Sequence, residues 1–201
     1  MIPERSGDVL VWRLARPLLA ISSAPLGGGL GPRDWVINMT VPDGYRRDDP
    51  DVHLAEVAAA LGLAGTGVGF LTAVAVDTVV HRADGGVRAS VTTGIGAHPT
   101  WAAGPGEPSV ERPQGTINVV AFLPVRLSDA ALVNAVATVA EAKAQALREA
   151  GIAGTGTPTD ATALLCPPTG PAQRFGGPRS AVGSGLARAV HAAVRARLDQ
   201  S

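Results

Sequence analysis

Apolar positions recur along this chain with two different periods, and the switch between them is sharpest between Gly115 and Cys166. Ile117 to Val125 is a nearly continuous apolar run rich in β-branched residues, which predicts a buried strand. Ser128 follows, with a hydroxyl placed to cap a helix that continues to about Glu149 and stops at Gly151. A glycine-rich turn and Thr159-Asp160 then lead into a second apolar strand that ends at Cys166. At about 100° per residue, Leu132, Val136, Val139, Ala140 and Leu147 share one face of the helix. Asn134, Thr138, Glu141, Gln145 and Arg148 share the other. Lys143 breaks the pattern: it projects within roughly 20° of Leu132 and Val136, inside the apolar stripe.

The rest of the chain reads as shorter elements. Val9 to Leu14 and Leu18 to Ser23 are two strands separated at Arg16-Pro17, and Trp35 to Val41 is a third with Asn38 inside it. Asp48-Asp49-Pro50 starts a helix that runs to about Leu61, with Asp as cap and Pro tolerated in the first turn. Phe70 to Val74 is a strand, and Val76 to Arg82 with Gly86 to Thr93 form a hairpin around Ala83-Asp84-Gly85. Residues 94–114 carry glycines, prolines, His98 and Trp101 without regular pattern, as a functional or disordered loop does. A last helix spans about Ser180 to Asp199, with Val182, Leu186, Val190 and Ala193 inward and His191 solvated. This order gives one α/β (α+β) domain over residues 1–201, with mixed or antiparallel sheet layers flanked by helices.

Composition narrows the function classes. Formal net charge is zero and the pI about 6.9, so nothing recruits a polyanion and nucleic acid is not an expected partner. No apolar run is long enough to span a bilayer and Met1 to Asp8 lacks a signal-peptide core, so a cytoplasmic protein without a membrane partner is expected. The single Cys166 forms no intrachain disulfide and reads as a core residue. The four histidines have no metal-ligand spacing, so no bound metal is expected. Lys143 is the only lysine among 17 basic residues. Two readings of it stay open: a compact ammonium whose pKa shifts on burial, or a stem that packs while its charge snorkels past the helix edge. Gly27-Gly28-Gly29-Leu30-Gly31-Pro32 is neither a dinucleotide fingerprint nor a phosphate loop; its glycines make a turn or let backbone approach a ligand.

Several stretches, in order, resemble the adenosylcobinamide amidohydrolase family of corrinoid salvage. They are Ser22-Ser23 with Gly27-Gly28-Gly29, Asn38 to Pro42, Asp49-Pro50, Val68 to Ala73, Gly115 to Asn118, Glu141-Ala-Lys143, Gly154-Thr-Gly156 with Thr159-Asp-Ala161, and Gly177-Pro178. Agreement is poorest from Gly96 to Pro113. The resemblance implies hydrolysis of the amide between the aminopropanol linker and a corrin propionate, giving adenosylcobyric acid and 1-aminopropan-2-ol. The corrinoid is then the substrate and no cofactor is implied; whether the chain forms an oligomer is left open. A fainter likeness, in the order Gly-Thr-Ile, strand, helix, glycine-rich turn, Asp, strand, is to the self-cleaving β-aminopeptidases. It implies an αββα sandwich and makes Thr116, after Gly115, the nucleophile.

On this basis Thr116, Lys143 and Asp160 are the candidate catalytic residues. Thr116 is a nucleophile or a β-branched strand opener. Lys143 is a base if burial lowers its pKa and an oxyanion donor if it stays charged. Asp160 orients Lys143, serves a water as acid and base, or is a turn residue bonding its own backbone. Asn38, Gly28, Gly29, Asn118, Glu141 and Thr159 make up the substrate-binding set, although Glu141 lies on the polar face, two residues from Lys143, and cannot share its surface. A corrinoid-binding module without turnover, and an amidohydrolase for another amide such as a β-amino-acyl peptide, use the same residues. Cleavage between Gly115 and Thr116 is required only if Thr116 is an N-terminal nucleophile, and an uncut chain is expected.

Overall fold

In a computed structural model, residues 1–96, 99–104 and 115–200 are described. In chain order the elements are β1 (Glu4–Ser6), β2 (Val9–Ser22), β3 (Gly29–Thr40), α1 (Pro50–Ala60), β4 (Gly67–Thr72), β5 (Val80–Asp84) and β6 (Val87–Gly94). They continue with β7 (Thr116–Phe122), α2 (Asp129–Glu149), β8 (Ala161–Cys166) and α3 (Gly183–Leu198). The strands hydrogen-bond in the order β4-β3-β2-β8-β7-β6-β5, with β1 on β2. The β3–β4 and β7–β8 pairs are parallel and the others antiparallel, so the sheet is mixed.

Alternation along the strands sorts the side chains into three cores. Trp35, Ile37 and Met39 of β3 face Leu54 and Ala58 of α1. Ile117, Val119 and Ala121 of β7 face Leu132, Val139 and Leu147 of α2 and Leu186 and Val190 of α3. The intervening positions, Val36 of β3, Phe70 of β4, Val120 and Phe122 of β7 and Leu165 of β8, meet in a core of their own. The sheet therefore folds over on itself, and its two halves pack face to face between α1 on one side and α2 with α3 on the other.

The fold is made at β2, and here the structure corrects the sequence reading. The two predicted strands are one, with Leu14 to Pro17 unpaired while β3 advances only past Asp34. Pro17 cannot donate to a ladder, yet a bulge absorbs it and turns the strand from one half of the sheet to the other. Beyond the bulge, Leu19 to Ser22 pair with β8.

Other differences have local causes. The strand expected from Trp35 begins at Gly29, because β2 supplies a partner along that whole length. Val76–Thr78 is a 3₁₀ turn, so the hairpin is β5–β6 around Gly85 and Gly86. Asp49 makes no side-chain cap; its carboxylate binds the Arg47 guanidinium instead. The Ser128 cap is formed, with Oγ accepting from the Ala131 amide at 3.2 Å. Thr138, assigned to the polar face of α2, is buried and donates to the Gly176 carbonyl at 2.8 Å, because residues 173–177 cover that face. His191 is half-buried with Nε2 2.7 Å from Glu149 Oε2, tying α3 to α2. Cys166 is a fully buried core residue whose thiol pKa is raised by burial. Among the described residues no helix is long and apolar enough to cross a membrane. His98 lies outside the described residues, as do 105–114 of the predicted loop.

Candidate active site

β7 and β8 run parallel and begin side by side, with Asn118 opposite Ala161. This register puts the residues just before β8 against the first residues of β7. The Asp160 carboxylate accordingly takes the Ile117 amide on Oδ1 at 2.8 Å and the Thr157 amide on Oδ2 at 3.0 Å. The Thr157 hydroxyl donates to Oδ1 at 2.5 Å. The fourth partner is Lys143, whose Nζ donates to Oδ2 in an ion pair. Side-chain exposures of 15% for Lys143 and 13% for Asp160 show that the ammonium does not snorkel into solvent. Lys143 lies in the C-terminal half of α2, and the apolar stripe aims that face at the β7–β8 strands.

Gly156 leaves the space for this pair. A Cβ there would lie 2.6 Å from Lys143 Nζ and against the Asp160 carboxylate, so the loop tolerates no side chain at that position without moving the pair. Thr116 stands on the other side of Asp160. Its hydroxyl is hydrogen-bonded to that of Thr159, which donates in turn to the Gly115 carbonyl at 3.0 Å. Either hydroxyl can donate in the pair. Thr116 is buried while Thr159 is exposed, so the hydroxyl pair sits at the surface end of β7.

A cleft of about 160 Å³ opens beside Lys143 and Asp160. Ile117, Val119 and Val139 form its floor and Val136 and Ala140 one rim, with Ser23 and Thr162 opposite. Ser23 is held there by two bonds to β8: its amide donates to Thr162 O at 3.0 Å, and its Oγ accepts from the Thr162 amide at 3.1 Å.

Residues 2–201 match the family model described as adenosylcobinamide amidohydrolase. The chain belongs to that family. Among curated relatives, the adenosylcobinamide amidohydrolase of Halobacterium salinarum is 35% identical over 196 residues, covering 94% of this chain and 84% of the relative. That of Methanosarcina mazei is 28% identical over 186 residues, covering 88% of each.

The candidates from the sequence fall into four groups in this member of the amidohydrolase family. Thr116, Lys143, Asp160 and Thr159 come together at the start of β7 and β8. Asn38 and Asn118 are buried between the two halves of the sheet, with Asn118 Nδ2 donating to Asn38 Oδ1 at 3.1 Å and to Leu71 O at 2.9 Å. Asn38 Nδ2 donates to Thr92 Oγ1 at 3.0 Å. Gly28 and Gly29 lie where β2 turns into β3, Gly29 opposite Ser22, and it is Ser23 rather than either glycine that borders the cleft. Glu141 is exposed and makes no hydrogen bond or ion pair among the described residues. Sequence reasoning assigned no role to Ser23, Thr157 or Gly156. Two of them, Ser23 and Gly156, lie inside stretches that carry the family resemblance, which was the available signal.

Proposed function

We propose that this chain hydrolyses the aminopropanol amide of adenosylcobinamide to adenosylcobyric acid and 1-aminopropan-2-ol, returning scavenged corrinoid to cobalamin assembly. The observation that carries the reading is the meeting of an ammonium–carboxylate pair with a hydroxyl pair at one strand end, in a chain of this family.

Amide hydrolysis needs a nucleophile, charge for the developing oxyanion and a proton for the departing amine. Thr116 supplies the nucleophile through Oγ1. Lys143 supplies both other needs: its ammonium stabilises the oxyanion and then protonates the amine nitrogen as the carbon–nitrogen bond breaks. The proton that Thr116 loses on attack reaches Lys143 through water as Lys143 gives its own to the amine nitrogen, so the ammonium is kept. Water then attacks the Thr116 ester, Lys143 gives its proton to Thr116 Oγ1 as the carbon–oxygen bond breaks, and the proton of that water restores it. Asp160 is a positioning residue, its carboxylate held by Ile117 and Thr157 so that Lys143 has one place to sit. These side chains suffice for the chemistry without a cofactor, the corrinoid being the substrate.

The test is incubation of the purified protein with adenosylcobinamide and mass analysis for adenosylcobyric acid. Turnover that disappears in Lys143→Met supports the reading. Tight corrinoid binding with no cobyric acid formed would make the chain a binding module, and cleavage of β-amino-acyl peptides alone would assign it another amide.

A further inference from the structure

We infer that the cleft beside Lys143 is the subsite for the leaving arm of the substrate: a short alkylamine bearing a hydroxyl, with the acyl portion and its macrocycle held outside. The inference rests on the amide hydrolysis proposed above and deepens it.

Size decides first. A cavity of about 150 Å³ accommodates a benzene-sized guest, and the cleft here is about 160 Å³. An amino alcohol of three carbons fits; a corrin does not. Chemistry then sets the direction of binding. Lys143 and Asp160 make one polar end, which suits the amide nitrogen that must receive a proton. Val136, Val139 and Ala140 make an apolar wall for the methyl group of the arm. Ser23 stands on the opposite rim, where its Oγ accepts from the Thr162 amide and its own proton has no acceptor among the described residues. That proton is free to reach the hydroxyl oxygen of the arm.

Position relative to the nucleophile agrees. Thr116 takes no part in the lining of the cleft, its hydroxyl being turned to Thr159. Asp160 separates the two sides, with Oδ2 on Lys143 and Oδ1 on the amide that follows Thr116. The acyl carbon therefore approaches from the Thr116 side and the amine departs into the cleft.

Three amides of one corrinoid acid test this, carrying 1-aminopropan-2-ol, 2-aminoethanol or 1-aminopropane, each assayed with the wild type and with Ala140→Leu. Ala140 is exposed on α2 and leucine is a good helix former, so the variant folds. In the wild type, loss of the methyl or of the hydroxyl lowers kcat/KM by about tenfold or more. Ala140→Leu fills the space of the methyl, so it lowers kcat/KM for the aminopropanol amide by about tenfold and for the aminoethanol amide far less. Equal wild-type rates on all three amides, or an Ala140→Leu effect that is absent or the same for each, would overturn the subsite and leave the hydrolase reading standing. No hydrolysis of any of the three by the wild type would overturn both.

Discussion

The Asn118 side-chain amide donates to Asn38 Oδ1 over 3.1 Å, joining positions 80 residues apart across the interior between the two halves of the sheet. Both residues are 2% exposed, and Asn38 extends the chain of bonds to Thr92 on β6. A buried amide costs stability unless it is paired, and removing one partner leaves the other with the full desolvation penalty. Asn38→Ala is therefore expected to lower unfolding stability by about 2–3 kcal/mol, read from urea denaturation. A change under about 0.5 kcal/mol, the level of an ordinary surface substitution, would show that the polar bridge does not hold the halves together.

Much of this architecture was legible one element at a time, and little of it between elements. The apolar run of β7, the Ser128 cap and the stripe on α2 are local patterns: the cap formed as read, the strand runs from Thr116 to Phe122 and stops short of Val125, and the stripe buries Leu132, Val139 and Leu147 while Ala140 stays exposed. Lys143 was visible for the same reason, as a charge in an apolar stripe. Thr138 was misread because its burial depends on residues 173–177 crossing the opposite face of α2, which no period within the helix encodes. Pro17 looked like a break between strands, since only a β8 partner on one side and a β3 partner on the other make a bulged continuous strand worthwhile. Ser23 reaches the cleft by pairing with Thr162, 139 residues away, so its place follows from sheet order and not from its neighbours in sequence.

Lys143→Arg is expected to lower kcat at least about a hundredfold, the low end of what positioned proton transfer supplies. A guanidinium keeps the charge but cannot pass a proton to the amine and is too wide for the space beside Gly156. Gly156→Ala is expected to do comparable damage while touching no reacting group, because its Cβ would occupy the place of the Lys143–Asp160 pair. Steady-state kinetics with circular dichroism on both variants check this. Near-normal kcat in Lys143→Arg would remove the lysine from proton transfer.

Stability is expected to fall as the pH drops below neutrality, through two sets of groups. The His81 pKa is lowered from 6.5 by burial first and by the N-terminal charge second, while Nδ1 lies 2.8 Å from Ser90 Oγ. Below pH 6.5 the unfolded chain takes up a proton at this position that the folded one resists, so that contribution is lost as pH falls. At lower pH the carboxylates of Asp49, Glu56, Asp84 and Glu149 act in the same direction. All four are held below their ordinary values by hydrogen bonds, from Arg47, Arg47, Arg188 and, for Glu149, Gln145 ahead of His191. Their stabilisation is present above the ordinary carboxylate range and lost as pH falls through the depressed values. Thermal melts from pH 7.5 to 5 should show a slope that His81→Gln flattens; an unchanged slope would locate the near-neutral titration elsewhere.

Thr116 separates two routes to the same products. As an N-terminal nucleophile it would require a cut after Gly115, freeing an α-amine with an ordinary pKa of roughly 7.7–8 to act as its base. In an intact chain that amine does not exist, and the Thr116 hydroxyl, hydrogen-bonded to Thr159, needs another base for its proton. The intact route is expected, because Lys143 and Asp160 stand beside the amide that follows Thr116 and cover the proton transfers an α-amine would supply. Intact mass spectrometry of active protein should give a single full-length species, and Thr116→Ala should lower kcat at least about a thousandfold if the covalent ester is on the path, as loss of a nucleophile does elsewhere. Two fragments that stay folded together would establish the cut chain. A full-length Thr116→Ala protein that keeps its activity would take Thr116 out of the chemistry and leave Lys143 with Asp160 to activate water directly.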